Sequence, residues 1–169
     1  MVRGGVVAGI VVVGAVVALF GSMALAARDR TAMPTAAEWY QAVDRACVPA
    51  AQDRAEARVA YRPDPNGDVA AEKRAFERYV TAVVRAERDV LGSAERVRVA
   101  AGVPAGGPEE FLAATRRVVT AGDVFLAEFR RVTDSESGLA SLMGAADSAA
   151  EQARTLAKQH GMTNCAEAF

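Results

Sequence analysis

Residues 111–132 read FLAATRRVVTAGDVFLAEFRRV. Phe111, Thr115, Val118, Gly122, Phe125, Phe129 and Val132 recur at alternating spacings of four and three, and Leu112, Val119 and Leu126 widen the stripe. Apolar residues with that period fall on one face of an α-helix, and such a repeat lines the seam of a helical bundle. Pro108 suits the first helical position, and Glu109 and Glu110 follow it where the helix dipole is positive. Gly122 costs about 1 kcal/mol against alanine in a helix interior, which predicts a close approach by another helix at that point.

Towards the C-terminus, Thr133 to Gly138 reads as a turn with Asp134 or Ser135 as a cap. A fourth helix follows, with the stripe Leu139, Leu142, Met143, Ala146, Ala150, Ala153 and Ala157, and its alanines predict tight packing. Gly161 is placed to end it in a left-handed conformation, with Met162 packing back on the last turn. Met162-Thr163-Asn164-Cys165 reads as a short tail.

Towards the N-terminus, Ala101-Gly102-Val103-Pro104-Ala105-Gly106-Gly107 breaks the chain before the third helix. The second helix opens at Asp68 and carries the stripe Phe76, Tyr79, Val80, Val83, Val90, Leu91, Ala94 and Val97. Glu72, Glu77, Glu87 and Asp89 alternate with Arg74, Arg78, Arg85 and Arg88 on the same helix, a mixture expected of a solvated face. Arg62-Pro63-Asp64-Pro65-Asn66-Gly67 is a loop, since two prolines and an Asn-Gly cannot continue a helix. The first helix starts at a capping box, Thr35-Ala36-Ala37-Glu38. Trp39, Val43, Ala46, Cys47 and Ala50 form its stripe. Pro49 lies inside that pattern, so a kink or break is expected near Arg45–Val48.

Four amphipathic helices with short breakers predict an all-α protein, an antiparallel four-helix bundle over residues 35–169, with helices one and four as neighbours. Residues 28–34 read as a spacer. Ahead of them, residues 4–27 are uncharged and rich in Val, Ala, Gly, Ile and Leu. Their length favours a retained single-span membrane anchor. Ala24-Leu25-Ala26, just before Arg28, matches a cleavage site after Ala26 or Ala27 and favours a cleaved signal peptide. Gly5 and Gly9 make a GxxxG, which in a membrane helix is commonplace composition. Arg3 and the terminal amine on one side against Arg28 and Arg30 on the other nearly tie the orientation, and the two cysteines with the Ala24-Leu25-Ala26 match tip the remainder to the outside of the cytosol. Disulfides persist there, and an antiparallel bundle brings the end of helix four near the start of helix one. A Cys47–Cys165 bond is therefore expected, the alternative being two free buried thiols.

The charge balance, 20 basic against 21 acidic residues, argues against nucleic acid as a partner. The 18 arginines against two lysines are read as the mark of a GC-rich genome. Arg116-Arg117 and Arg130-Arg131 lie 14 residues apart, close to one side of the third helix, and form a candidate contact for an anionic lipid or a polyanionic wall polymer.

No catalytic site, metal site or cofactor is expected. The chain has one histidine, His160, placed where a helix C-terminus favours a positive charge. Its two cysteines and one histidine fall short of the four ligands of a structural zinc site. It has no GxGxxG, no P-loop and no Cys-x-x-Cys-His beside which His160 with Met143 or Met162 would read as haem ligands.

A cysteine early in helix one and a last helix ending Ala157-Lys158-Gln159-His160-Gly161-Met162-Thr163-Asn164-Cys165 resemble small secreted or membrane-anchored helical proteins of high-GC Gram-positive bacteria. That resemblance implies a helical bundle, a paired cysteine and an extracytoplasmic location, and it implies no activity. The chain departs from the type in lacking the lipid-attachment cysteine that many such proteins carry. The expected function is a non-enzymatic, membrane-anchored extracytoplasmic bundle that binds or supports a cell-envelope partner. A soluble secreted binding protein and an envelope enzyme without a recognisable motif are the alternatives.

Overall fold

Six helices make up the computed structural model, which describes residues 35–63, 68–101, 108–131 and 136–169. They are α1 (Ala36–Ala46), α2 (Val48–Ala60), α3 (Val69–Ala101), α4 (Pro108–Arg131), α5 (Glu136–Gln159) and α6 (Thr163–Ala168). The fold is all-helical, and all the described residues belong to one compact unit, Pro34–Phe169. Among the described residues no helix is long and apolar enough to cross a membrane. The apolar segment at 4–27, the spacer at 28–34, residues 64–67 of the predicted loop, 102–107 of the predicted breaker and 133–135 of the predicted turn lie outside them, while Glu136 to Gly138 of that turn already belong to α5.

Local chemistry sets several helix ends where the sequence placed them. Thr35 Oγ1 accepts from the Glu38 amide at 3.3 Å, and Glu38 accepts from the Thr35 amide at 2.8 Å, a complete capping box. The Thr35 donors hold the exposed Glu38 carboxyl below the usual carboxylate range. Asp68 accepts from the amides of Ala70 and Ala71 and so caps α3. Gly161 takes φ +71°, and Met162 N–H returns to the Ala157 carbonyl at 2.8 Å while Gly161 N–H meets Lys158 at 3.1 Å. These two bonds close α5 as a Schellman motif, with Met162 fully buried behind it. Pro49 divides the first predicted helix in two. Cys47 ends α1 and precedes α2, so Pro49 falls in the first turn of α2, where a missing amide donor costs nothing.

Side-chain pairs fix the helix directions. Glu77 meets Arg130, Arg88 meets Asp123, and Arg98 meets Glu109, so α3 and α4 run antiparallel. Arg54 meets Glu87, and Tyr61 stacks on Tyr79, so α2 and α3 do likewise. A Cβ on Gly122 would lie 2.9 Å from Val84 Cγ2 and 3.3 Å from Glu87 Oε2, which is the close approach that its place in the α4 seam predicted.

Two apolar clusters fill the interior. One gathers Trp39, Val43, Cys47, Val90, Phe111, Leu112, Met162, Cys165 and Phe169. The other gathers Val80, Val84, Phe125 and Leu126, with Phe76, Tyr79, Phe129, Leu139 and Leu142 packed against it. Gly122 stands between them in sequence along α4, and Glu87 follows Ala86 of the first cluster on α3.

Four expectations are corrected. The tail after Gly161 is not a tail: Thr163–Ala168 forms α6, whose Cys165, Ala166 and Ala168 are buried together with Phe169. Predicted helices one and four meet mainly through α6, which packs against α2, α5, α1 and α3, and directly where Tyr40 stacks on His160. Glu87 does not belong to a solvated face. It is 5% exposed, because it turns inward to an arginine of α2. Met143, placed in the α5 stripe, is 45% exposed.

Candidate functional site

Four attachments hold α6 against the bundle, and together they build the walls of a cleft. Cys47 and Cys165 are joined, S–S 2.10 Å with Cα atoms 5.0 Å apart, across a sequence separation of 118 residues. Asp44 of α1 accepts from the Cys165 amide at 3.1 Å and from Asn164 Nδ2 at 2.8 Å. A carboxylate there satisfies donors in the first turn of α6 that would otherwise lie unpaired. Arg54 of α2 donates to the Ala168 carbonyl at 3.2 Å. Arg154 of α5 donates to the Phe169 backbone oxygen and pairs with Glu151.

Arg54 also makes the one ion pair of the described residues in which both side chains are largely buried, 3.2 Å to Glu87 Oε1 with 11% and 6% side-chain exposure. Burial pushes the Glu87 carboxyl up to about 7, against the pull of Arg54 and with a further push from Asp123. Arg54 Nε is buried and has no hydrogen-bond partner.

The cleft lies over α6 and holds about 580 Å³. One wall is α2, which presents Ala51, Arg54, Ala55 and Arg58. The other is α5, which presents Arg154 and Lys158, and the floor is α6 with Ala166, Glu167 and Phe169. The placement follows from helical period: Arg54 and Arg58 are i,i+4 on α2, as are Arg154 and Lys158 on α5, so each pair shares one face. Four cations and one carboxylate, Glu167, therefore line a partly apolar trough.

The residues that the sequence proposed for an anionic contact are arranged differently. Arg116 pairs with Glu95, Arg130 with Glu77 and Arg131 with Glu128, so three of the four charges are matched by carboxylates. The Arg116 and Arg98 contacts hold the Glu95 carboxyl below its ordinary range. Arg117 faces a separate surface hollow beside Glu110 and Glu151.

His160 stacks on Tyr40, ring centroids 4.0 Å apart and planes 10° from parallel, and Tyr40 in turn meets Trp39 edge to face. Burial pushes the Tyr40 hydroxyl up, with a contribution from Glu110. Among the described residues no group of three or more His, Cys, Asp or Glu side chains is placed to hold a metal ion. The cleft arginines were missed in the sequence. A signal for them was present in the like-charged spacings Arg54/Arg58 and Arg154/Lys158, which a helix does not gain from structurally.

No match is found among protein-family models, curated proteins or solved structures.

Proposed function

We propose that this chain is an extracytoplasmic binding module, held at the membrane by residues 4–27 as a single-span anchor, whose disulfide-locked helical domain engages a cell-envelope partner without catalysing a reaction. The observation that carries this reading is the Cys47–Cys165 bond. It closes most of the folded domain on itself, and such bonds persist in oxidising compartments and are reduced in the cytosol. The uncharged apolar run ahead of the domain supplies the route out. Its A-x-A match at Ala24–Ala26 supports a second form, a soluble secreted protein cut after Ala26 or Ala27. The small exported helical proteins that the sequence resembles point to the same location.

The test is differential alkylation of the protein in intact cells of its native host, followed by mass spectrometry. Cys47 and Cys165 are expected to react only after reduction, and the mass of the N-terminal peptide distinguishes the anchored form from the cleaved one. Thiols that alkylate without reduction overturn the extracytoplasmic reading.

A further inference from the structure

We propose that the cleft between α2 and α5 binds the phosphate group of an organic phosphate ester, with Arg58 and Lys158 as the cations that engage it and the alanines of α2 and α6 seating its uncharged part. This names the ligand class of the binding module proposed above. It rests on that reading for where the ligand is found, not for the site itself.

What marks this place is that four cations and a single carboxylate, Glu167, line one trough. Several arginines of α3 and α4 are matched singly by carboxylates: Arg88 by Asp123, Arg98 by Glu95 and Glu109, Arg130 by Glu77. Among the described residues Arg58 and Lys158 have no carboxylate within ion-pair distance, yet each stands one turn from another cation on its own helix. Like charges at that spacing destabilise a helix, so the arrangement has no structural benefit. An anion between the walls turns the repulsion into attraction on both helices at once.

The two remaining cations make the site rigid. Arg54 is fixed by Glu87 and the Ala168 carbonyl, and Arg154 by Glu151 and the Phe169 oxygen. Their hydrogen bonds are committed to holding the floor, so the charge on a ligand falls to Arg58 and Lys158, with the field of the other two behind it. Arg54 Nε is also buried without an acceptor. A tetrahedral phosphate offers several oxygens to cations on two sides, which a single carboxylate does less well. The volume of about 580 Å³ is that of a small-molecule site and far exceeds a bare ion, so the phosphate is part of a larger molecule. Glu167 repels an anion on its side of the floor and so biases the phosphate towards Arg58 and Lys158.

The experiment is calorimetric titration of the full-length oxidised chain in an uncharged detergent with two probes, sn-glycerol 3-phosphate and dihexanoyl-phosphatidylglycerol. Binding of at least one is expected. Tighter binding of the first assigns the ester to a soluble or polymer-borne phosphate, and tighter binding of the second to a lipid headgroup. The double variant Arg58→Gln/Lys158→Gln should weaken binding about tenfold or more, the scale of a lost charge-assisted hydrogen bond. Both side chains are exposed, so circular dichroism should show the helices intact. The charge-matched control Arg74→Gln/Arg85→Gln, on exposed positions of α3 outside the cleft, should bind as the parent does. Binding of neither probe overturns the proposal, as does an equal loss in the control pair. Either result leaves the alkylation pattern of Cys47 and Cys165 untouched, so failure of the site and failure of the extracytoplasmic reading are separable.

Discussion

At the end of the bundle that holds Cys47 and Cys165, the side chains of Trp39, Phe111, Met162 and Phe169 are at most 1% exposed. At the other end of α4, Phe129 is only half-buried, as are its neighbours Phe76 and Tyr79. Both ends are aromatic: Phe111 meets Trp39 and Phe169 edge to face, while Phe76 contacts Phe125 and Phe129, with Lys73 over the Phe129 ring. The difference is a lid. Helix α6 closes the first end and is tied down by a disulfide, a carboxylate and two arginines, whereas among the described residues nothing comparable covers the second. Bundle ends are where helices splay and water enters, so one short segment decides how much of an aromatic cluster counts as core.

The largest expected effect tests the tie. Replacing both cysteines, Cys47→Ala/Cys165→Ala, should cost about 4–5 kcal/mol in urea unfolding, the chain-entropy value for a loop of this span. A loss below about 1 kcal/mol would mean that Asp44, Arg54 and Arg154 hold α6 unaided. Next comes the contrast between the ends. Phe111→Ala should cost about 3–5 kcal/mol as a buried aromatic truncation, and Phe129→Ala only about 1 kcal/mol, because it surrenders part of an already incomplete burial. Equal losses would erase the distinction between the two ends.

A further effect, spread over pH, concerns the buried Glu87. Glu87 faces Arg54 from α2, Asp123 from α4 and Arg154 from α5. Its folded pKa of about 7 lies above the ordinary 4.5, so between those values the native state holds a proton that the unfolded chain has lost. Stability should therefore fall as pH rises from about 5 to 8, by at most about 2–3 kcal/mol from this group. Glu87→Gln should flatten that slope. Stability that instead rises with pH in the parent protein would show that the attraction of Arg54 outweighs the cost of burying the charge.

Much of the fold was legible in residue spacing. The stripes on α1, α3 and α4, the boxes and caps at Thr35 and Asp68, the start at Pro108 and the stop at Gly161 are local: each depends on residues within one or two turns. Cysteine placement was legible too, once the order of the helices was granted. The cleft was not. Arg54, Arg58, Arg154 and Lys158 look individually like ordinary solvated residues on two helices nearly a hundred positions apart in the chain. Glu87 was misread for the same reason. On α3 it stands among arginines, as an exposed glutamate would, and only its partner on α2 explains why it turns inward.

The sequence by itself determined that the long segments are helical and where most of them begin and end. Those outcomes follow from dihedral preference, capping and apolar period, all of which act over a few residues. The tertiary structure alone decided that residues 163–168 would become a wedge between α2 and α5, that Glu87 would be buried, and that four cations would face one trough. Each of these turns on which surfaces are left uncovered once the long helices have packed, and that is a property of the assembled bundle, not of any window of chain.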